Sequence, residues 1–278
     1  MLKLENINKR FKSALIAENI NIEFDKYTYG LLGRNGSGKT TLLRCITKVE
    51  KLNSGNITYV DSNNNETEDY LDYIGYLPQN FDVFNELTPY EVLQFFANLK
   101  EYKITEEEKN DLLKILNLSH YKDNIVKSLS GGMKRRLGIA QALVGNPEIV
   151  LLDEPTAGLD PEERLNFKNV IKKIKKDRCV VLSTHIITDI ESLCDKILVL
   201  TNGKITQFDS CQKLADVARE KVFAVEDTGE INCEFYSMGT ITIEGKEYEK
   251  VICKNSIDAV KVEPTVEDGY ICFIENLF

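Results

Sequence analysis

Gly33-Arg34-Asn35-Gly36-Ser37-Gly38-Lys39-Thr40 sets glycines, a lysine and a hydroxyl at the spacing G-x-x-x-x-G-K-[ST]. At that spacing the glycines let backbone N–H groups close on phosphate oxygens, the lysine reaches the terminal phosphates, and the hydroxyl reaches Mg2+. Lys39 is therefore assigned to the β- and γ-phosphates of a nucleotide and Thr40 to Mg2+. Gly33, Asn35, Gly36, Ser37, Gly38 and Thr41 form the cradle. A helix N-terminus offers only about half an elementary charge, far less than a triphosphate carries, so Lys39 and Mg2+ must supply the rest. Further along, Ile149-Val150-Leu151-Leu152 runs into Asp153-Glu154. Two adjacent acids at the end of an apolar strand are costly unless a cation uses them. Asp153 suits Mg2+, held through water, and Glu154 suits polarisation of an attacking water. Between these two segments stands Leu129-Ser130-Gly131-Gly132-Met133, at the start of a helix.

The elements that must position these groups are legible in outline. Leu2/Leu4 and Ile20/Ile22/Phe24 alternate as strands do, and Tyr27 to Leu32 is a buried strand running straight into the glycine loop. Asn56 to Val60 is another strand, followed by a polar loop from Asp61 to Glu68. Thr88-Pro89-Tyr90-Glu91 and Thr105-Glu106-Glu107-Glu108 have capping-box spacing, so a compact helical section spans about 85–145. Ile149–Leu152 and Cys179–Thr184, the latter followed by His185, read as central parallel strands, whose carboxyl ends border a ligand crevice. Asp160-Pro161-Glu162-Glu163 starts a helix with a solvated lysine-rich face, and Lys196 to Phe208 is a hairpin around Asn202-Gly203. Beyond residue 217 the texture becomes strand-like with acidic turns, including a hairpin around Glu244-Gly245. A short closing helix is entered through Pro264-Thr265, with Val266, Tyr270, Phe273 and Ile274 on one face.

Composition narrows the classes. The chain has 278 residues and a net charge of −9, and residues 221–278 hold 5 basic and 12 acidic side chains, so most of the excess lies there. No general basic field exists to hold nucleic acid, and no nucleic-acid partner is expected. The longest apolar run, Tyr270 to Ile274, is far too short to span a membrane, and the N-terminus lacks a signal-peptide core. A cytoplasmic chain is expected, whose membrane role would need a partner. Seven scattered cysteines, none in C-x-x-C spacing, read as small buried hydrophobes rather than disulfides or zinc ligands.

Taken together, the glycine loop, Leu129-Ser130-Gly131-Gly132 and Ile149 to Glu154 resemble the nucleotide-binding domain of the ATP-binding cassette family over about residues 1–215. The resemblance implies an α/β fold: a P-loop ATPase core with a mostly parallel sheet, an antiparallel β subdomain, an inserted helical subdomain and a small C-terminal β-rich appendage. The cassette domain would occupy 1–216 and the acidic accessory domain 217–278. It further implies that Ser130, Gly131 and Gly132 bind the γ-phosphate of ATP held by a second cassette, identical or not. Gln79 would sense Mg2+ and the attacking water, Asp160 would lie across the dimer interface, His185 would face the γ-phosphate, and Phe11 would stack on adenine. Met133 and Ala157-Gly158 depart from the commoner family residues without removing a catalytic group.

ATP hydrolysis would then power a separate integral membrane permease, with this subunit peripheral on the inner face of the cell membrane. Val262-Glu263-Pro264-Thr265-Val266-Glu267-Asp268 resembles a C-terminal segment of daunorubicin- or bacitracin-resistance exporter cassettes, which implies export. The alternative is a soluble cassette ATPase that remodels a ribosome, DNA or an assembly scaffold. Against it stand the single copy of the motifs, about 90 residues from Lys39 to Leu129 where a coiled coil would be longer, and the acidity. A GTPase or small-molecule kinase would make Leu-Ser-Gly-Gly a coincidence.

Overall fold

The computed structural model describes residues 1–11, 14–226, 228 and 231–277. They fall into two units, Met1–Gln207 and Phe208–Phe278.

In the first unit, β1 (Leu2–Phe11) and β2 (Ala14–Phe24) pair antiparallel, and β3 (Thr28–Leu32) is buried along its whole length before α1 (Lys39–Ile46). β4 (Ser54–Val60) pairs antiparallel with β1. The polar loop after it is more ordered than its composition implies: the Asp61 carboxylate accepts the N–H groups of Asn63 and Asn65 at 2.7 and 2.9 Å. That closed turn folds β5 (Glu66–Thr67) back onto β4. β6 (Ile74–Leu77) leads into the helical section of α2 (Pro89–Leu99), α3 (Glu106–Ile115) and α4 (Gly131–Ala142). Then follow β7 (Ile149–Asp153), α5 (Pro161–Ile174), β8 (Cys179–Thr184), α6 (Ile187–Leu193), β9 (Lys196–Thr201) and β10 (Lys204–Phe208).

One sheet has the order β2-β1-β4-β5; the larger runs β10-β9-β3-β8-β7-β6 and is parallel from β9 through β6. Alternate side chains of the central strands serve two cores, which is why these strands read as unbroken apolar runs. Val150, Leu152, Val180 and Leu182 face a core shared with α2–α5. Ile149, Leu151 and Val181 face another, built with β1, β2, β4 and α1. Thr88 and Thr105 close the capping boxes of α2 and α3 with Glu91 and Glu108.

The second unit contains α7 (Cys211–Ala215), β11 (Val222–Val225), β12 (Phe235–Ile243), β13 (Lys246–Cys253), β14 (Val260–Lys261) and α8 (Val266–Ile274). Its sheet has the order β12-β13-β11-β14. The division falls earlier than the expected boundary at 216/217, because α7 belongs with the appendage. A Cβ added at Gly269 of α8 would lie 1.9 Å from the Leu214 carbonyl oxygen, so the two helices meet backbone to backbone. Of the accessory segment, Asp227, Gly229, Glu230 and Phe278 lie outside the described residues, as do Lys12 and Ser13 near the N-terminus.

The buried face of α8 carries Val266 and Tyr270, with Phe273 and Ile274 only half-buried. It also carries a charge that apolar periodicity does not reveal. Asp268 is fully buried; its Oδ2 accepts from Lys250 Nζ at 2.6 Å and from the Thr265 N–H and hydroxyl at 2.7 and 2.8 Å. One carboxylate oxygen thus caps the helix and neutralises a lysine. Asp268→Ala is expected to strand Lys250 and destabilise the appendage by about 3 kcal/mol, measured as a lowered urea midpoint against Thr105→Ala, where cap loss alone costs about 1 kcal/mol.

Candidate functional site

The phosphate cradle follows from where β3 must stop. The chain turns after Leu32 through Gly36 (φ 79°) and Gly38 (φ 105°), left-handed conformations that glycine adopts without a Cβ penalty. Gly38 is the N-cap of α1, yet no side chain caps this helix, and no acid stands in its first turn. α2, α3 and α5 are each capped by a Thr or Asp side chain. The first N–H groups of α1 are thereby left for an external anion.

Lys39 is buried, its Nζ donating to the carbonyls of Gly33 at 2.8 Å and Arg34 at 3.3 Å, and lying 3.5 Å from Glu154 Oε1. Thr40 Oγ1 donates to Asp153 Oδ1 at 3.1 Å, and Ser183 Oγ donates to the same oxygen at 2.7 Å. Asp153 is fully buried, but its Oδ2 has no hydrogen-bond partner. A desolvated carboxylate oxygen with free lone pairs, beside a threonine hydroxyl, is a hard-oxygen pair that fits Mg2+.

Glu154 adopts φ 45°, a left-handed backbone rare outside glycine. Its N–H donates to Ser183 Oγ at 2.9 Å, and its Oε2 stands 3.0 Å from His185 Nδ1. An ionised carboxylate only accepts, so it pairs with an Nδ1–H of His185 and fixes the orientation of the ring. The carboxyl ends of β6, β7 and β8 deliver Gln79, Glu154 and His185 to one cavity of about 370 Å3, whose other wall is Asn35, Gly36, Gly38, Lys39, Thr40 and Thr41.

Gly33 and Ser37 belong to the same loop but do not line that cavity. Neither does Phe11, which is exposed at the end of β1 with the Lys9 ammonium 4.4 Å from its ring centroid. The apolar lining from the antiparallel sheet is instead Ile16, against which Gly38 packs so tightly that an added Cβ would lie 2.7 Å from its Cγ2. Ser130, Gly131 and Gly132 stand apart at the N-terminus of α4, where Ser130 Oγ accepts the Met133 N–H at 3.2 Å. An added Cβ at Gly132 would meet the Glu163 carboxylate at 2.3 Å or less, while Gly131 faces open space. Asp160 caps α5, accepting the Glu163 N–H at 2.8 Å.

Sequence reasoning missed Ser183 and Ile16. Ser183 had one available signal: a polar residue near the end of a strand that is otherwise apolar, aligned in register with Asp153.

A parallel sheet with a phosphate loop after β3, paired acids at the end of β7 with β8 between, and a glycine-opened helix outside the cavity define a nucleotide-hydrolysing cassette. The ABC transporter family model matches residues 18–157, and the chain belongs to that family. It is 34% identical over 227 residues to the linearmycin resistance ATP-binding protein LnrL of Bacillus subtilis, covering 77% of this chain and 72% of that one. It is 35% identical over 218 residues to the probable sulfate/thiosulfate import ATP-binding protein CysA of Chlorella vulgaris, covering 77% and 92%. Among solved structures, the dimeric ATP-binding cassette MJ0796 bound to ADP and Pi, in a post-hydrolysis state, is 28% identical with a TM-score of 0.64, covering 75% of this chain and 98% of that one. The chain binds ATP and hydrolyses it. Lys39→Ala is expected to weaken ATP binding about 10- to 100-fold, the worth of a charge-assisted hydrogen bond to phosphate, measured by titration calorimetry.

Proposed function

We propose that this chain is the ATP-hydrolysing subunit of an exporter: two cassettes close on ATP, hydrolysis reopens them, and a separate membrane-spanning permease turns that motion into alternating access. The observation that carries the reading is the placement of Ser130–Gly132, on a helix N-terminus outside the chain's own phosphate cavity. The site is then half built, and a second cassette, identical or not, presents the missing helix end to the γ-phosphate. Gly131, open to its surroundings, leaves room for that approach.

Within each site Lys39 binds the terminal phosphates, Glu154 polarises the attacking water, and His185, oriented by Glu154, faces the γ-phosphate. Asp153, Thr40 and Gln79 would hold Mg2+, which when bound neutralises charge on the β- and γ-phosphates. Phe11 is assigned to adenine, against which its exposed ring would stack, and Asp160 to the dimer interface.

The described residues contain no helix long and apolar enough to cross a membrane, so the span is assigned to the permease. A docking surface lies close to the Gln79 segment, where Phe84 packs edge-on against Phe95 at 5.7 Å and both stay exposed, as does Leu99. Aromatic side chains left in water in one group are typical of interface cores. This would put the chain on the cytoplasmic face of the membrane. Export rather than import rests on the likeness to LnrL and on the Val262–Asp268 segment. The acidic unit from Phe208 onward is read as an accessory domain.

Glu154→Gln is expected to leave ATP affinity unchanged, nearly abolish turnover and accumulate a closed dimer, read by phosphate release and size-exclusion chromatography; undiminished hydrolysis removes Glu154 from the base role. Ser130→Ala should cut turnover with little loss of ATP affinity in the monomer, whereas collapse of monomer affinity would sink the assignment in trans. The transport reading is tested by purifying the tagged chain from cells in mild detergent with ATP. A stoichiometric, multi-spanning polypeptide supports it, and a ribosome, DNA or soluble scaffold in its place overturns it.

A further inference from the structure

Arg135 has no place in the chemistry above, yet its guanidinium is the most heavily engaged group beside the site. It projects from α4, one turn beyond the Ser130 cap. Nε donates to the Pro155 carbonyl at 3.0 Å. Nη1 donates to the carbonyls of Pro78 at 3.3 Å and Gln79 at 2.6 Å. Nη2 donates to those of Asp153 at 2.9 Å and Glu154 at 2.5 Å. All three nitrogens are used, every partner is a main-chain oxygen, and the partners lie on two segments that share no strand. One is the turn after β6 that carries Gln79; the other is the turn after β7 that carries Glu154.

Two features give this geometry mechanistic content. Glu154 sits at φ 45°, a strained backbone that persists only where surroundings over-determine it. The fork grips the carbonyls immediately before, at and after that residue. The charge also carries a desolvation cost: burial lowers the Arg135 pKa, while the nearby carboxylates of Asp153 and Glu154 pull it back up. A half-buried cation held by main-chain carbonyls, with no carboxylate among the described residues in direct contact, is costly to keep for stability alone.

We propose that Arg135 is a positioning residue that fixes the Gln79 turn and the Glu154 turn at one separation, and so sets the water-activating geometry from α4. It touches neither nucleotide nor water. It acts through main chain, which a planar five-donor fork can do and a lysine cannot reproduce. Since Ser130–Gly132 lie at the start of the same helix, a displacement of α4 on engaging a partner's nucleotide would be carried by this fork to Gln79 and Glu154. The inference rests on the reading of Glu154 and Gln79 given above.

Arg135→Lys and Arg135→Gln are to be compared with the native chain and Glu154→Gln for ATP affinity, kcat and KM. The expected result is ATP affinity and KM within about twofold of native and kcat lowered about 10- to 100-fold, the scale of an ångström-level misplacement of a catalytic group. The lysine variant should retain more activity than the glutamine one. Native kcat in both variants, or equal losses in kcat and ATP affinity, overturns the proposal. If Glu154→Gln itself turns over normally, the underlying assignment of Glu154 fails instead. A readout free of folding defects is available in the native protein labelled with 15N-arginine. A clamped Arg135 gives separate, slowly exchanging Nη–H signals, and a freely rotating guanidinium overturns the clamp.

Discussion

Two carboxylates stand side by side at the end of β7, and the charge available to them governs the architecture around it. Asp153 is fully buried and Glu154 nearly so, with the buried Lys39 ammonium 3.5 Å from Glu154. Burying two anions is unfavourable unless cations and polar groups converge on them from several directions. Thr40, Ser183 and His185 supply hydrogen bonds from α1, β8 and the turn after it. Those contacts require β7 between its neighbours in a parallel sheet, with all carboxyl ends at one edge. The sheet order β3-β8-β7-β6 is therefore a condition for the charge cluster, and both apolar cores hold that order in place.

The same cluster explains why some of the site was legible in the sequence and some was not. The phosphate loop, the paired acids, and the caps at Thr88, Thr105, Asp160 and Thr265 are local: each is complete within a few consecutive residues, and each element starts where its signal stands. Ser183 and Arg135 act across the fold, on partners 30 and as many as 57 positions away. For Ser183 the one hint is a polar residue near the end of an otherwise apolar strand, and nothing near Arg135 in sequence marks its role. Arg135 is the middle of three consecutive basic residues, Lys134-Arg135-Arg136.

Asp268 was concealed for a related reason. Its capping-box spacing with Thr265 is readable, but its burial depends on Lys250 arriving from a neighbouring strand. The boundary of the appendage shifted for the same cause: α7 is only five residues long, and its membership of the second unit comes from contact with α8 at Gly269. Glycines that permit close approach between elements leave no local pattern, whereas those that permit a left-handed turn recur in recognisable loops.

Helix ends divide into two kinds, and that division carries the functional logic. α2, α3, α5 and α8 each satisfy their first N–H groups with a Thr or Asp side chain and are structural starts. α1 satisfies none that way and faces the cavity bounded by Lys39. α4 is intermediate: Ser130 caps it, but Gly131 and Gly132 add no side chain over the remaining donors. The α1 end borders the phosphate cavity and the α4 end does not, so one nucleotide on a single chain cannot use both. The α1 terminus, with Lys39, accounts for binding. On the reading proposed above, the α4 terminus would gain an anion when another cassette brings one, and Arg135 of the same helix bonds the turns that carry Gln79 and Glu154.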